Sequence, residues 1–295
     1  MDAGMVKMDR RKFSMGVITG VAGAASVLAA ESPAAPKTQD QMPTIFVAHG
    51  SPQSIDDAKW IANLGTWMKE MPKPKGILMV SAHWIDRPIT LGATRSVPLT
   101  YDFYGFPKRY YSMKYNAPGA PDLAVRVREL LAHSDKIANA PDRGLDHGAY
   151  VPLLGMYPEA DIPVLQVSIP TMEPAPLIEL GRKLAPLRRE GILIVGSGFL
   201  THNLGTIDFS PTAQTPAWAK EFDAWAAEAL RNRNSTDLIR YREKAPGVKM
   251  ALPTHEHFVP VLVALGASLE TAEAVKFPIT GFMGGSFTQR SVQFG

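Results

Sequence analysis

No cysteine occurs among the 295 residues. That absence excludes disulfides, zinc–thiolate sites, iron–sulfur clusters and thiol nucleophiles together, so any catalytic metal must take nitrogen and oxygen ligands. A lysine-terminated phosphate loop and a glycine-rich dinucleotide fingerprint are also missing, which removes the common nucleotide sites. Net positive charge is small beyond the N-terminus. Of a net charge of +3, Lys7, Arg10, Arg11 and Lys12 against Asp2 and Asp9 account for a surplus of two. The remainder contains no basic run of the kind that tracks a nucleic-acid backbone. No internal repeat or low-complexity stretch follows residue 43.

What is present is ordinary globular material, 45% hydrophobic and 20% charged, enough to fill one sizeable core. The N-terminus is read as an address. Paired Arg10 and Arg11 stand before Lys12, Phe13, Ser14 and Met15, then a Gly/Ala-rich apolar stretch runs to Ala30. Small residues at Ala29 and Ala30 offer a cleavage point before the polar, Pro-rich run from Glu31. Residues 1–30 are therefore expected to be a twin-arginine-type export signal and 31–42 a disordered linker, with the mature protein periplasmic and not stably membrane-associated. A membrane anchor is the alternative, but an uncharged stretch of about 18 weakly hydrophobic residues is near the lower limit for spanning.

From Pro43 onward short apolar runs alternate with amphipathic stretches. Thr44–Ala48, Gly76–Ala82, Ile162–Ile169 and Gly191–Gly196 read as buried strands. Ile55–Met71, Asp122–His133, Pro174–Arg189 and Pro216–Arg231 read as helices, the last with Trp218, Phe222, Trp225, Ala226 and Ala229 on one stripe. This alternation specifies an α/β fold, a single domain whose mainly parallel central sheet is flanked by helices on both faces. In such sheets ligands sit beyond the carboxyl ends of the strands.

The seven histidines fall where that rule points. His49 ends the first strand, His83 ends the second, and His202 follows the fourth. A lone histidine at a strand end is ordinarily a capped or solvated residue. Three aimed at one edge of one sheet suggest a metal site instead, because neutral imidazole is the commonest biological ligand for Fe, Zn, Cu and Ni. His255, Glu256 and His257 stand before a helix expected over 258–266, with Thr254 or Glu256 as its cap and Pro260 in its first turn. Either His257 or Glu256 can supply a third ligand, since neighbours in sequence point in different directions. His147 and His202 are candidates for a fourth ligand, an acid/base residue or a support, and Asp146 either orients its neighbours or makes a local turn bond. His133 has no suggestive company. Gly50, Gly196, Gly198, Gly284 and Gly285 flank the same region and permit close backbone approach.

Six segments in order, IFVAHGSP, PKGILMVSAHW, YDFYGFP, GLDHG, GSGFLTHN and EHFVP, resemble the class III extradiol ring-cleaving dioxygenases, in particular the 4,5-DOPA dioxygenase branch. The resemblance runs from about Pro43 to the C-terminus, which implies that 43–295 is the catalytic domain. It implies a single non-haem Fe(II), with zinc a possible occupant, held by His49, His83 and His257. His202 would be the acid/base residue or a further ligand, and His147 a second pocket histidine. Tyr101, Phe103 and Tyr104 would lie beside an aromatic, L-DOPA-like catechol, opened with O₂. More distant relatives use two histidines and a carboxylate, and Glu256 beside His257 keeps that alternative open. A metal-dependent hydrolase or chelatase, or a non-catalytic metal-binding relative, would employ the same histidines without O₂.

Overall fold

A computed structural model of the protein describes residue 1 and residues 41–132, 136–210 and 212–295. The expected export signal, nearly all of the linker and His133 lie outside the described residues. Among the described residues, no helix is long and apolar enough to cross a membrane.

The four apolar runs become strands buried on both faces, as parallel strands covered by helices must be. They are β1 (Thr44–Ala48), β2 (Gly76–Ile85), β5 (Val164–Ile169) and β6 (Ile192–Gly198). Shorter strands complete the set: β3 (Ile89–Leu91), β4 (Ile137–Asn139), β7 (Val275–Lys276), β8 (Phe282–Met283), β9 (Phe287–Thr288) and β10 (Val292–Phe294). One eight-stranded sheet has the order β4-β3-β5-β2-β6-β1-β10-β7, and β8 pairs with β9 separately. The centre β5-β2-β6-β1 is parallel throughout. Antiparallel pairing appears only toward the flanks, where β10 joins β1 and β7, and β3 joins β5.

Helices cover both faces: α1 (Ala58–Lys69), α2 (Pro121–Leu131), α3 (His147–Met156), α4 (Pro174–Leu184), α5 (Ala217–Arg231), α6 (Ser235–Ile239), α7 (Tyr241–Lys244), α8 (Val248–Ala251) and α9 (Pro260–Gly266). The two-residue side-chain period of the strands divides the core cleanly. Ile45, Val47, Ile77, Met79, Leu193 and Val195 pack under α1 and α3. Phe46, Leu78, Val80 and Ile194 face α2, α4, α5 and α9.

One expectation needs correction, and one helix was not expected. Neither Thr254 nor Glu256 caps the helix after the histidine pair; α9 starts at Pro260, its N-cap is Val259, and no side chain caps it. Proline at the first position needs no amide partner, so the chain can enter this buried helix without a polar cap. The helix α3, absent from the sequence reading, has almost every residue buried. With no polar face it has no periodicity to betray it.

The end of β6 is fastened to the His257 segment, because the Phe199 amide donates to the His257 carbonyl at 2.9 Å. Gly198 allows this approach, since a Cβ there would run into that same carbonyl oxygen. Gly198→Ala should therefore destabilise the protein by about 1–3 kcal/mol through overpacking. Gly65→Ala in α1, where the nearest atom to a new Cβ is 3.6 Å away, should be neutral or stabilising by about 0.5–1 kcal/mol. Thermal denaturation of the two variants reads this difference; equal melting temperatures would refute the close-approach account.

Candidate metal centre

Because β1, β2 and β6 are parallel, their carboxyl ends meet at one edge, and the histidines they carry are delivered together. His49 lies one residue past β1, its amide donating to Gly198 O of β6 at 3.3 Å. His83 stands inside the last turn of pleat in β2, on the same face as Ser81. His147 is the first residue of α3, whose N-cap Asp146 accepts from the Ala149 amide. The next residue, Gly148, lies flat against the rings: a Cβ there would collide with Ser81 and crowd His83 and His49. His257 comes from the turn before α9, and His202 from the segment after β6.

The rings converge. His49, His83 and His147 offer nitrogen atoms all within 4.8 Å of one another, and His202, Glu256 and His257 form a second such group. His49 Nε2 and His83 Nε2 are 3.3 Å apart. Ring centres of His49, His83 and His257 are separated by 5.0, 4.9 and 5.4 Å. His147 lies closer to His83, at 3.9 Å, and His202 stacks on His257 at 3.5 Å, nearly parallel. His255 turns the other way, against Tyr241.

Hydrogen-bond accounting fixes the proton on several rings. Pro152 lies inside α3 and has no amide to give the carbonyl of Gly148. The Ser197 hydroxyl donates to that carbonyl instead. Its single proton is thereby used, so at 2.9 Å it can only accept from His49 Nδ1. His49 carries its hydrogen on Nδ1 and presents a bare Nε2. His257 Nδ1 donates to Glu256 Oε1 at 3.2 Å, and Thr254 donates to the same oxygen. His147 Nδ1 donates to Asp102 Oδ1 at 2.8 Å.

Burial favours the neutral form of His49, His83, His202 and His257. Desolvation, reinforced by the neighbouring imidazoles, carries His49 and His257 well below the ordinary histidine value. Burial likewise brings His83 from 6.5 to about 3 and His202 to about 4. Asp102 is pushed up by burial, but the hydrogen bond from His147 and the nearby imidazoles outweigh this and leave it lowered. Asp146, fully buried, is raised by desolvation and by Asp102, against the hydrogen bonds of Gln166 and Ser81. It serves as both helix cap and scaffold beneath His83, so the two readings of this residue coexist.

The aromatic loop is delivered only in part. Phe103 meets the His147 ring edge-on at 5.7 Å and packs on Phe106 and Tyr111. Tyr101 stands beside Phe103, with its hydroxyl donating to Met113 O. Tyr104 projects into solvent at 91% exposure, outside this ring cluster. Asp102 and Ser197 escaped the sequence reading. Their partners lie 45 and 148 residues away, and only the position of Asp102 inside YDFYGFP hinted at a role.

A nitrogen-rich, buried donor cluster at the carboxyl edge of a parallel sheet is the arrangement of a metal-binding site. Residues 41–285 match the family described as the catalytic LigB subunit of aromatic ring-opening dioxygenase, and the chain belongs to that family, the class III extradiol dioxygenases. It is 43% identical to a 4,5-DOPA dioxygenase extradiol of Beta vulgaris, over 78% of this chain and 88% of the relative. A protein of the same description from Escherichia coli K12 is 37% identical, over 86% and 95%. The crystal structure of an uncharacterized Escherichia coli K12 protein superposes with a TM-score of 0.75 at 34% identity, covering 86% of this chain and all of that one.

The depressed histidines have a consequence for stability. Below pH 6.5 the unfolded chain takes up protons that the folded rings refuse, so stability present above that value is lost as pH falls toward 4 and 3. For the metal-free protein the loss is at most about 1.4 kcal/mol per pH unit for each such ring. Melting temperature should be flat above pH 7 and fall between 6.5 and 4, with a shallower slope in His83→Asn. A constant melting temperature down to pH 4.5 would contradict this.

Proposed function

We propose that the chain is a non-haem Fe(II) extradiol dioxygenase that opens the ring of an L-DOPA-like catechol with O₂, using His49, His83 and His257 as metal ligands. The observation that carries the ligand set is the spacing of the rings. A metal–nitrogen bond of about 2.1 Å puts each imidazole centre about 3.2 Å from the ion, so two ligands at angles of about 90–109° have centres about 4.5–5.2 Å apart. The three pairs among His49, His83 and His257, at 5.0, 4.9 and 5.4 Å, match this within about 0.2 Å. His147 against His83 and His202 against His257 are too close to radiate from the same ion. Glu256, occupied with His257 Nδ1, is better suited to orienting that ligand than to replacing it.

The donor set also suits the group chemically, being neutral, buried imidazole with no thiolate. Fe(II), when bound, supplies a redox-active centre at which a catechol and O₂ can meet, which zinc cannot. The chain's own residues do the rest. His147, with its hydrogen on Nδ1, has a bare Nε2 to accept a phenolic proton. His202, stacked on His257, is the second group able to move a proton. Phe103, edge-on to His147, helps confine a flat ring beside it. The L-DOPA-like substrate rests on the description shared by the relatives.

Residues 1–30 we further propose to be a twin-arginine export address, on the strength of Arg10 and Arg11 before an apolar stretch. Fractionation of the producing cells should find the processed protein outside the cytoplasm; unprocessed protein confined within would refute it.

Anaerobic reconstitution with Fe(II), addition of L-DOPA and admission of air should give a yellow product with oxygen uptake. No colour and no uptake across a catechol panel would end this reading. His49→Ala, His83→Ala and His257→Ala should each lose bound metal and turnover, whereas Glu256→Gln should weaken metal binding by about 10–100-fold without abolishing it. Metal retained in His257→Ala but lost in Glu256→Gln would reverse the assignment of the third ligand.

A further inference from the structure

Asp102 sits on a stretch without regular secondary structure, between Tyr101 and Phe103 of the aromatic loop. It is the residue of that loop that touches the histidine cluster through hydrogen bonds. Its Oδ1 accepts from the His147 backbone amide at 3.0 Å and from His147 Nδ1 at 2.8 Å. Its Oδ2 lies 3.4 Å from His83 Nδ1. One carboxylate thus faces the outer nitrogen of a pocket histidine and of a candidate ligand together.

The two contacts differ in what they fix. A carboxylate at 2.8 Å from Nδ1 requires the hydrogen of His147 to be there, which leaves Nε2 as an acceptor. His83 has two places for its hydrogen. It can donate from Nδ1 toward Asp102 at 3.4 Å, or from Nε2 toward His49 Nε2 at 3.3 Å. Since His49 presents a bare Nε2, its lone pair is available for that second arrangement. Were His49 and His83 to hold a metal through Nε2, the hydrogen of His83 would lie on Nδ1, facing Asp102 Oδ2.

We propose that Asp102 is the positioning residue that fixes the proton of His147 on Nδ1 and thereby locks the aromatic substrate loop to the reacting histidines. Loop seating and base readiness are then one event: when Phe103 is packed against the His147 ring, Asp102 is also on its outer nitrogen. The loop has few other ties to this region. Thr100 donates its amide and hydroxyl to Leu145 and Gly144, and the other bonds of the segment are to its own neighbours Tyr110, Tyr111 and Met113. The backbone bond from His147 makes the coupling rigid, because it sets where the carboxylate lies relative to the start of α3.

The inference rests on the proposed dioxygenase reading for its kinetic arm only. The test uses the full chain and two variants. Asp102→Ala removes both acceptors, while Asp102→Asn retains one carbonyl oxygen for the His147 amide and Nδ1. Nitrogen-15 NMR of the metal-free protein, with histidine labelled, should find His147 protonated on Nδ1 in the parent and in Asp102→Asn. In Asp102→Ala it should show a mixture or the Nε2-protonated form. In the Fe(II)-loaded protein, kcat for L-DOPA should fall about 10–100-fold in Asp102→Ala and KM should rise as the loop loosens, and Asp102→Asn should recover part of both. Should the His147 hydrogen stay on Nδ1 in Asp102→Ala, the proposal is overturned, whatever happens to turnover. Equal loss of kcat in both variants, tracking equal falls in melting temperature, would also overturn it by making the role one of folding. If the parent turns over no catechol, the functional reading fails, and the NMR arm still decides the placement of the proton.

Discussion

Everything at this site depends on keeping a group of imidazoles out of water, uncharged, and turned so that bare nitrogens face one another. Burying a polar ring without a partner is costly, and burying a charged one more so. The protein meets that constraint by giving the outer nitrogen of three of the rings something to hold: a serine for His49, a glutamate for His257, an aspartate for His147. The inner nitrogens are left as electron-pair donors, crowded enough that protonating one discourages protonating the others. Such a cluster is a poor fit for an apolar core and a good fit for a cation.

The sheet makes the cluster possible. Parallel strands send their ends to the same side, so residues far apart in sequence arrive together without long excursions of the backbone. Antiparallel β10 and β7 extend the sheet beyond β1, so the strand that carries His49 is an interior one. A ligand on an interior strand is held by neighbours on both sides, which suits the fixed geometry a metal requires.

The sequence shows most of this framework because long buried strands are long apolar runs. Thr44–Ala48 was legible to the residue, and β2, β5 and β6 to within three residues at either end. The histidines at their ends were legible for the same reason. Strands of two or three residues such as β7 and β10 carry too little pattern to read, and α3 is apolar on every side. Glu256 and His257 could not be separated by spacing, and only the bond between them suggests which one orients the other. Asp102 was invisible as a partner of His147 because nothing in local sequence reports a contact across 45 residues. Tyr104, adjacent to residues that do face the site, turned outward; one position along an irregular loop is enough to reverse a side chain.

Pro152 gives the interior of α3 a defect that helix propensity alone would advise repairing. The missing amide leaves one carbonyl unclaimed, and that vacancy is what orients Ser197 and, through it, His49. Regularity of the helix and polarity of the first candidate ligand are therefore competing goals in this sequence. A more perfect α3 would return the serine hydrogen to free rotation, and the imidazole beyond it would lose its instruction about which nitrogen to leave bare.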